Sequence, residues 1–328
     1  MPRLYKFSQH ALGRTILLCV IVGASLVYVA VAHQYLYTTL FGATPGVVEH
    51  QMDSSTSSEI QYWNPATMSA ATDADLLDTP SNTSYDQQQS VSAGTPGQQA
   101  GHGSLDGNIS DYRATVGKIF FSDGAGQNYV CSGTAIVSSN LNTIDTAGHC
   151  LYWNGRWMQN VIFCPLYDHG VGAFGCWAAR DLFIPKDWQD AANLNDLHHD
   201  MGIAVLAPND AGNLTDVVGA AGWSYNQKTE QPFYAYGYPA GSPYDGQSQQ
   251  SCADGSKGAV WKHGAGQVIS IPCKMTGGSS GGGWFIQSGG QYFLNGHNDF
   301  TSTMKPGHMF SPYYDDTWYA MYQASQKA

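Results

Sequence analysis

Cys273-Lys274-Met275-Thr276-Gly277-Gly278-Ser279-Ser280-Gly281-Gly282-Gly283-Trp284 is the stretch on which the reading of the whole chain turns. A serine flanked by glycines is how a tight turn presents a hydroxyl for nucleophilic attack, whereas the same composition in isolation is a flexible linker. Two upstream segments favour the first reading. Thr146-Ala147-Gly148-His149-Cys150 follows an alternating run at 142–145, and Asp200 opens the apolar run Met201-Gly202-Ile203-Ala204-Val205-Leu206. Serine attacks well only when a base takes its proton, and an imidazole ordinarily titrates near neutrality, which suits His149 to the task. An imidazolium forming in a cleft needs a carboxylate that fixes its orientation, and Asp200 at the start of a buried strand provides one. Asp196, in the polar stretch 193–199, is the fallback for that role.

The order His149, Asp200, Ser280 and the three local motifs resemble the chymotrypsin-fold serine endopeptidases. The form Cys-x-Met-Thr-Gly-Gly-Ser-Ser-Gly-Gly-x-Trp is more similar to the secreted microbial branch related to glutamyl endopeptidases than to the animal digestive enzymes. The resemblance runs from about residue 111 to the end. It implies an all-β fold of two packed six-stranded antiparallel β-barrels with a C-terminal helix, and hydrolysis of peptide bonds through a His-Asp-Ser triad and an acyl-enzyme. Ser279 and Ser280 are both candidates by residue type. The family pattern Gly-x-Ser-Gly-Gly selects Ser280, with the backbone N–H groups of Gly278 and Ser280 as the oxyanion hole. Gly283 stands where the family usually has proline.

The resemblance also implies a substrate pocket lined by Thr276, Asn298 and Asp299. Alignment on Gly296 puts Asn298, not His297, where glutamate-specific relatives carry a histidine, so no glutamate preference is assigned. Asp299 stands where relatives often have a small residue.

Short runs rich in apolar, β-branched and aromatic residues, punctuated by Gly, Asn, Asp and Pro, recur from 114–121 to 292–295, at the spacing of strands in a sandwich or barrel. Only 316–325 has a helical pattern. The barrels are expected at about 110–215 and 216–315, within a protease domain at 110–328.

Seven cysteines are present; Cys19 lies in the leader, and the six beyond it suit an oxidising compartment. Six cysteines allow 15 pairings. The resemblance implies Cys131–Cys150, clamping the histidine's loop, and proximity in sequence suggests Cys164–Cys176 and Cys252–Cys273. A zinc site from Cys164, Cys176, His198 and His199 is the alternative, but no Cys-x-x-Cys or His-x-x-x-His spacing supports it. No metal or cofactor is expected.

Ahead of the domain, Arg3, Lys6 and Arg14 precede an apolar run at 15–32 that ends in Ala30-Val31-Ala32, so 1–32 reads as a secretory signal, with a signal anchor tethering the protein to a membrane as the competitor. Residues 33–109 carry no Lys or Arg and are rich in Ser, Thr, Gln, Gly and Pro, which reads as a disordered propeptide or stalk. The formal charge of −11, from 14 Lys and Arg against 25 Asp and Glu, excludes a nucleic-acid surface. The expected partners are protein or peptide substrates of a secreted monomer. Two other readings keep the same fold: a hydrolase with a narrow range of esters or one protein target, and an idle protein whose tyrosines and tryptophans bind polysaccharide or a cell surface.

Overall fold

The computed structural model describes residues 46–74, 86–87, 108–191, 196–263 and 266–328. The leader, with Cys19, lies outside them. After a leading strand β1 (Val47–Gln51), six strands form a closed antiparallel barrel: β2 (Val116–Ser122), β3 (Asn128–Ala135), β4 (Thr143–Thr146), β5 (Gln159–Pro165), β6 (Trp177–Pro185) and β7 (Gly202–Leu206). Neighbours run β6-β7-β4-β3-β2-β5, and β5 pairs back with β6. Alternation of side chains across a strand divides β2 between two apolar clusters. Val116 and Phe120 join one, while Ile119 and Phe121 join the other with Phe163, Leu182 and Ile184.

The second half begins with Gly222–Trp223 and builds two sheets. One contains β8 (Pro232–Gly237), β9 (Gln250–Lys257), β12 (Gly283–Ser288) and β13 (Gln291–His297); the other contains β10 (Ala259–His263), β11 (Gly266–Pro272) and β14 (His308–Pro312). Phe233, Ile269, Ile271, Trp284, Ile286 and Met309 close the space between them. A C-terminal helix (Asp316–Ser325) follows, capped by Asp315, whose carboxylate accepts from Thr317 N at 2.8 Å. Its Trp318 is fully buried.

One expectation is corrected. Within 33–109, residues 46–74 are not a disordered stalk: they fold onto the first barrel. β1 adds to the edge of β6, with Val47 opposite Pro185 and Gln51 opposite Asp181. Helix α1 (Thr56–Tyr62) and Trp63 follow, the indole Nε1 donating to Asn160 O at 2.6 Å and the ring packing against Phe120. Thr72–Asp73 then pairs with Tyr129 and Val130. The polar average of the segment hid these anchors. The edge of β6 offers unpaired backbone groups, and burying Trp63 offsets the ordering entropy of a segment that could not fold alone.

Glu59 of α1 is buried, takes a hydrogen bond from Ser54 Oγ at 2.6 Å, and leaves Oε2 without a partner among the described residues. Burial pushes its carboxyl up from 4.5 to about 7, opposed by the Ser54 hydrogen bond. The folded state therefore keeps a proton that the unfolded chain has released, and stability from this group is full below pH 4.5 and is lost as pH rises through about 7. Glu59→Gln is predicted to flatten this dependence and to stabilise the protein above neutrality by on the order of 2 kcal/mol. Urea unfolding at acid and mildly alkaline pH checks it; equal loss at both would contradict it.

Candidate active site

His149 sits in a short 3-10 turn (Gly148–Cys150) directly after β4, and Asp200 closes another (Leu197–His199) directly before β7. Because β4 and β7 pair, with Gly202 opposite Thr146, the two turns emerge side by side. Asp200 receives two donors from one residue: backbone N of His149 at 2.7 Å on Oδ1, and Nδ1 of the ring at 2.8 Å on Oδ2. Both side chains are buried. Burial alone would raise the Asp200 carboxyl, but the charge of His149 and its hydrogen bonds outweigh that and hold it below the ordinary carboxylate range. The arrangement fixes the ring with Nδ1 on the carboxylate and leaves Nε2 as the basic nitrogen.

The glycine-rich turn that carries Ser279 and Ser280 comes from the second half. Gly278 and Gly281 have φ of +86° and +82°, the left-handed region that favours glycine. A Cβ at Gly278 would meet Tyr238 O at 2.9 Å, and one at Gly281 would collide with Thr146 Oγ1 and Ser132 O. Ser132 of β3 pins the turn: its N donates to Ser280 O at 2.7 Å and its Oγ to Gly278 O at 2.9 Å. The two serines diverge. Ser279 Oγ turns back to Thr276 O at 2.8 Å, whereas Ser280 Oγ donates to Asp299 O at 3.1 Å.

The three pocket candidates lie apart in role. Thr276 Oγ1 donates to Gly241 O at 2.8 Å. Asn298 is buried and occupied on both ends of its amide: Nδ2 donates to Tyr236 O at 2.8 Å and Ser279 O at 3.2 Å, and Oδ1 accepts from Trp284 Nε1 at 2.8 Å. Asp299, 2% exposed, turns its carboxylate towards His149, with Oδ1 3.6 Å from Nδ1. Asp196 faces His199 Nδ1 at 3.1 Å and His198 Nδ1 at 3.2 Å, not His149. The six described cysteines pair as Cys131–Cys150, Cys164–Cys176 and Cys252–Cys273, so Cys164 and Cys176 hold each other and offer no thiolate to a metal.

The support behind Asp200 leaves no local mark in the sequence. His297 Nε2 donates to Asp200 O at 3.0 Å, and its Nδ1 lies 2.8 Å from the Tyr314 hydroxyl. Tyr314 OH and Trp318 Nε1 both donate to Asp145, at 2.6 and 2.7 Å. These partners come from β4, β13, the C-terminal helix and the segment just before it, and no local pattern announces them.

Among solved structures, a thermostable serine protease, AL20, from an extremophilic microorganism is 36% identical, with a TM-score of 0.59 over 66% of this chain and 99% of its own. The chain belongs to the chymotrypsin-fold serine proteases. The protease Anisep from Arthrobacter nicotinovorans is 35% identical over 66% of this chain and 96% of its own, with a TM-score of 0.58. A Glu endopeptidase shares the fold at 15% identity and a TM-score of 0.50, covering 69% and 99% of the two chains. No family model and no curated protein matches the sequence.

Asn298→Ala would strip partners from Trp284 Nε1, Tyr236 O and Ser279 O at once. It is predicted to destabilise the protease by about 2–3 kcal/mol and to lower kcat by loosening the nucleophile turn. Denaturant unfolding with parallel kinetics checks it; unchanged stability would show the turn to be held elsewhere.

Proposed function

We propose that this serine endopeptidase is secreted and cleaves peptide bonds through an acyl-enzyme on Ser280, with His149 as general base and acid and Asp200 as the carboxylate that orients it. The observation that carries the reading is the two-point grip of Asp200 on His149, through both backbone N and Nδ1, beside a glycine-rich turn that separates Ser280 from Ser279. In the acylation step Ser280 Oγ leaves its contact with Asp299 O, passes its proton to His149 and attacks the scissile carbonyl. His149 then protonates the departing amine, and water repeats the sequence to release the acid. The N–H groups of Gly278 and Ser280 receive the oxyanion, and the left-handed backbone at Gly278 supports that register.

Secretion is supported by the leader at 1–32 and by three disulfides, which persist where thiols are not kept reduced. Among the described residues no helix is long and apolar enough to cross a membrane. In this reading 1–32 is the signal, 33–109 a leading segment partly built into the fold, and 110–328 the catalytic domain, with its halves at about 110–215 and 216–315.

Ser280→Ala is predicted to lower kcat by roughly 10⁴- to 10⁶-fold, and Ser279→Ala to keep most of the activity. Hydrolysis of a fluorogenic peptide mixture reads both. An active Ser280→Ala with an inactive Ser279→Ala would put the nucleophile one residue earlier.

A further inference from the structure

Asp299 brings a second carboxylate to the His149–Asp200 pair. One nitrogen of His149 and one oxygen from each of Asp200 and Asp299 lie within 4.8 Å of one another, and all three side chains are buried. The two acids are not equivalent. Asp200 takes both donors that His149 offers, at 2.7 and 2.8 Å, whereas the ring N–H stands 3.6 Å from Asp299, too far to be shared. Neither carboxylate oxygen of Asp299 finds a donor among the described residues. A buried anion left in that condition carries its full desolvation cost, and a second negative charge beside Asp200 adds repulsion.

A proton on Asp299 removes both penalties. It turns an acceptor without a donor into a donor, and the acceptor at hand is Asp200. We propose that Asp299 retains its proton at neutral pH and donates it to Asp200, so that the catalytic carboxylate is one half of an acid–carboxylate pair. The inference rests on the triad reading above and adds a positioning residue to it. Burial, and after it the charge of Asp200, drive the Asp299 carboxyl well above the ordinary range, in the direction the geometry requires. The other titratable groups around the pair are Tyr314, which burial and then the charge of Asp145 push well up, and behind Asp200 the His297–Asp145 couple.

The consequence is a division of labour on one residue. The side chain of Asp299 donates to Asp200 beside the ring of His149, and its main-chain carbonyl holds Ser280 Oγ. With Asp299 neutral, His149 feels one carboxylate and not two, which keeps its ring free of a proton to more acid conditions than a doubly charged site would allow.

The test uses the full chain with Asp299→Asn, which can still donate to Asp200, and Asp299→Ala, which cannot. Infrared difference spectra of the unaltered protein minus Asp299→Asn at neutral pH should show a protonated-carboxyl band, and the same band should survive in Ser280→Ala. Its absence overturns the proposal. In kinetics, Asn should cost a few-fold in kcat and Ala a further tenfold or so, with KM nearly unchanged. The acid limb of kcat/KM for Asp299→Asn should stay within about half a pH unit of the unaltered protein. A fall of more than about one unit would mean that an anion had been removed from beside His149, and the proposal would be wrong. If neither variant folds, carbon-13 NMR of the unaltered protein labelled in its aspartate carboxyls decides: one carboxyl keeping the protonated shift through neutral pH supports the pair, and none doing so overturns it. Loss of the triad reading would show separately, as an active Ser280→Ala.

Discussion

An ionised carboxylate buried in a protein must be surrounded by donors or it will take up a proton, and the structure around Asp200 is organised by that requirement. His149 answers it twice, through backbone N and ring Nδ1. Each bond constrains a different part of the molecule. The backbone bond ties the turn after β4 to the turn before β7, so the register of the barrel itself sets the distance between base and carboxylate. The ring bond commits Nδ1 to the carboxylate and leaves Nε2 as the other ring nitrogen. Behind the carboxylate, His297 holds the main chain of Asp200, and Asp145 with Tyr314 and Trp318 anchors that support to the C-terminal helix. The helix therefore supports the candidate site as well as the core.

The proposed nucleophile, Ser280, comes from the other half, so the proposed reaction requires the two halves to keep their relative position closely. Ser132 does much of this. Its N and Oγ hold the nucleophile turn, Tyr238 N donates to the same Oγ at 2.9 Å, and Thr146 Oγ1 donates to its carbonyl at 2.8 Å, one turn before His149. The adjacent Cys131–Cys150 bond ties the same strand to the histidine's turn. A single stretch of β3 thus ties together the turn of His149, the turn of Ser280 and the second half.

What could be read from the sequence was the chemistry that is local along the chain. Thr146-Ala147-Gly148-His149-Cys150, Asp200 with its apolar run, and the turn at Ser280 each carry their own signature, because a left-handed glycine or a strand opening is set by residues within reach of one another. The strands, the C-terminal helix and the family followed from the same marks. What could not be read depends on partners far along the chain. Asn298 and Asp299 look like pocket residues on a strand; that one braces Ser279 and the other faces His149 is decided by the irregular pairing between Gly283 and Phe285 and by the turns across from it. The docking of residues 46–74 was hidden for a related reason. Trp63 is informative only once β5 and its neighbours exist to receive it.

The claim on which the rest depends is that the His149–Asp200 pair activates one particular hydroxyl. Treating the protein with a fluorophosphonate, digesting it and mapping the adduct by tandem mass spectrometry tests that claim directly. The account predicts a single phosphonylated residue, Ser280, and no adduct when His149 is replaced by alanine. An adduct on Ser279, or none at all in a preparation that cleaves peptides, would contradict it.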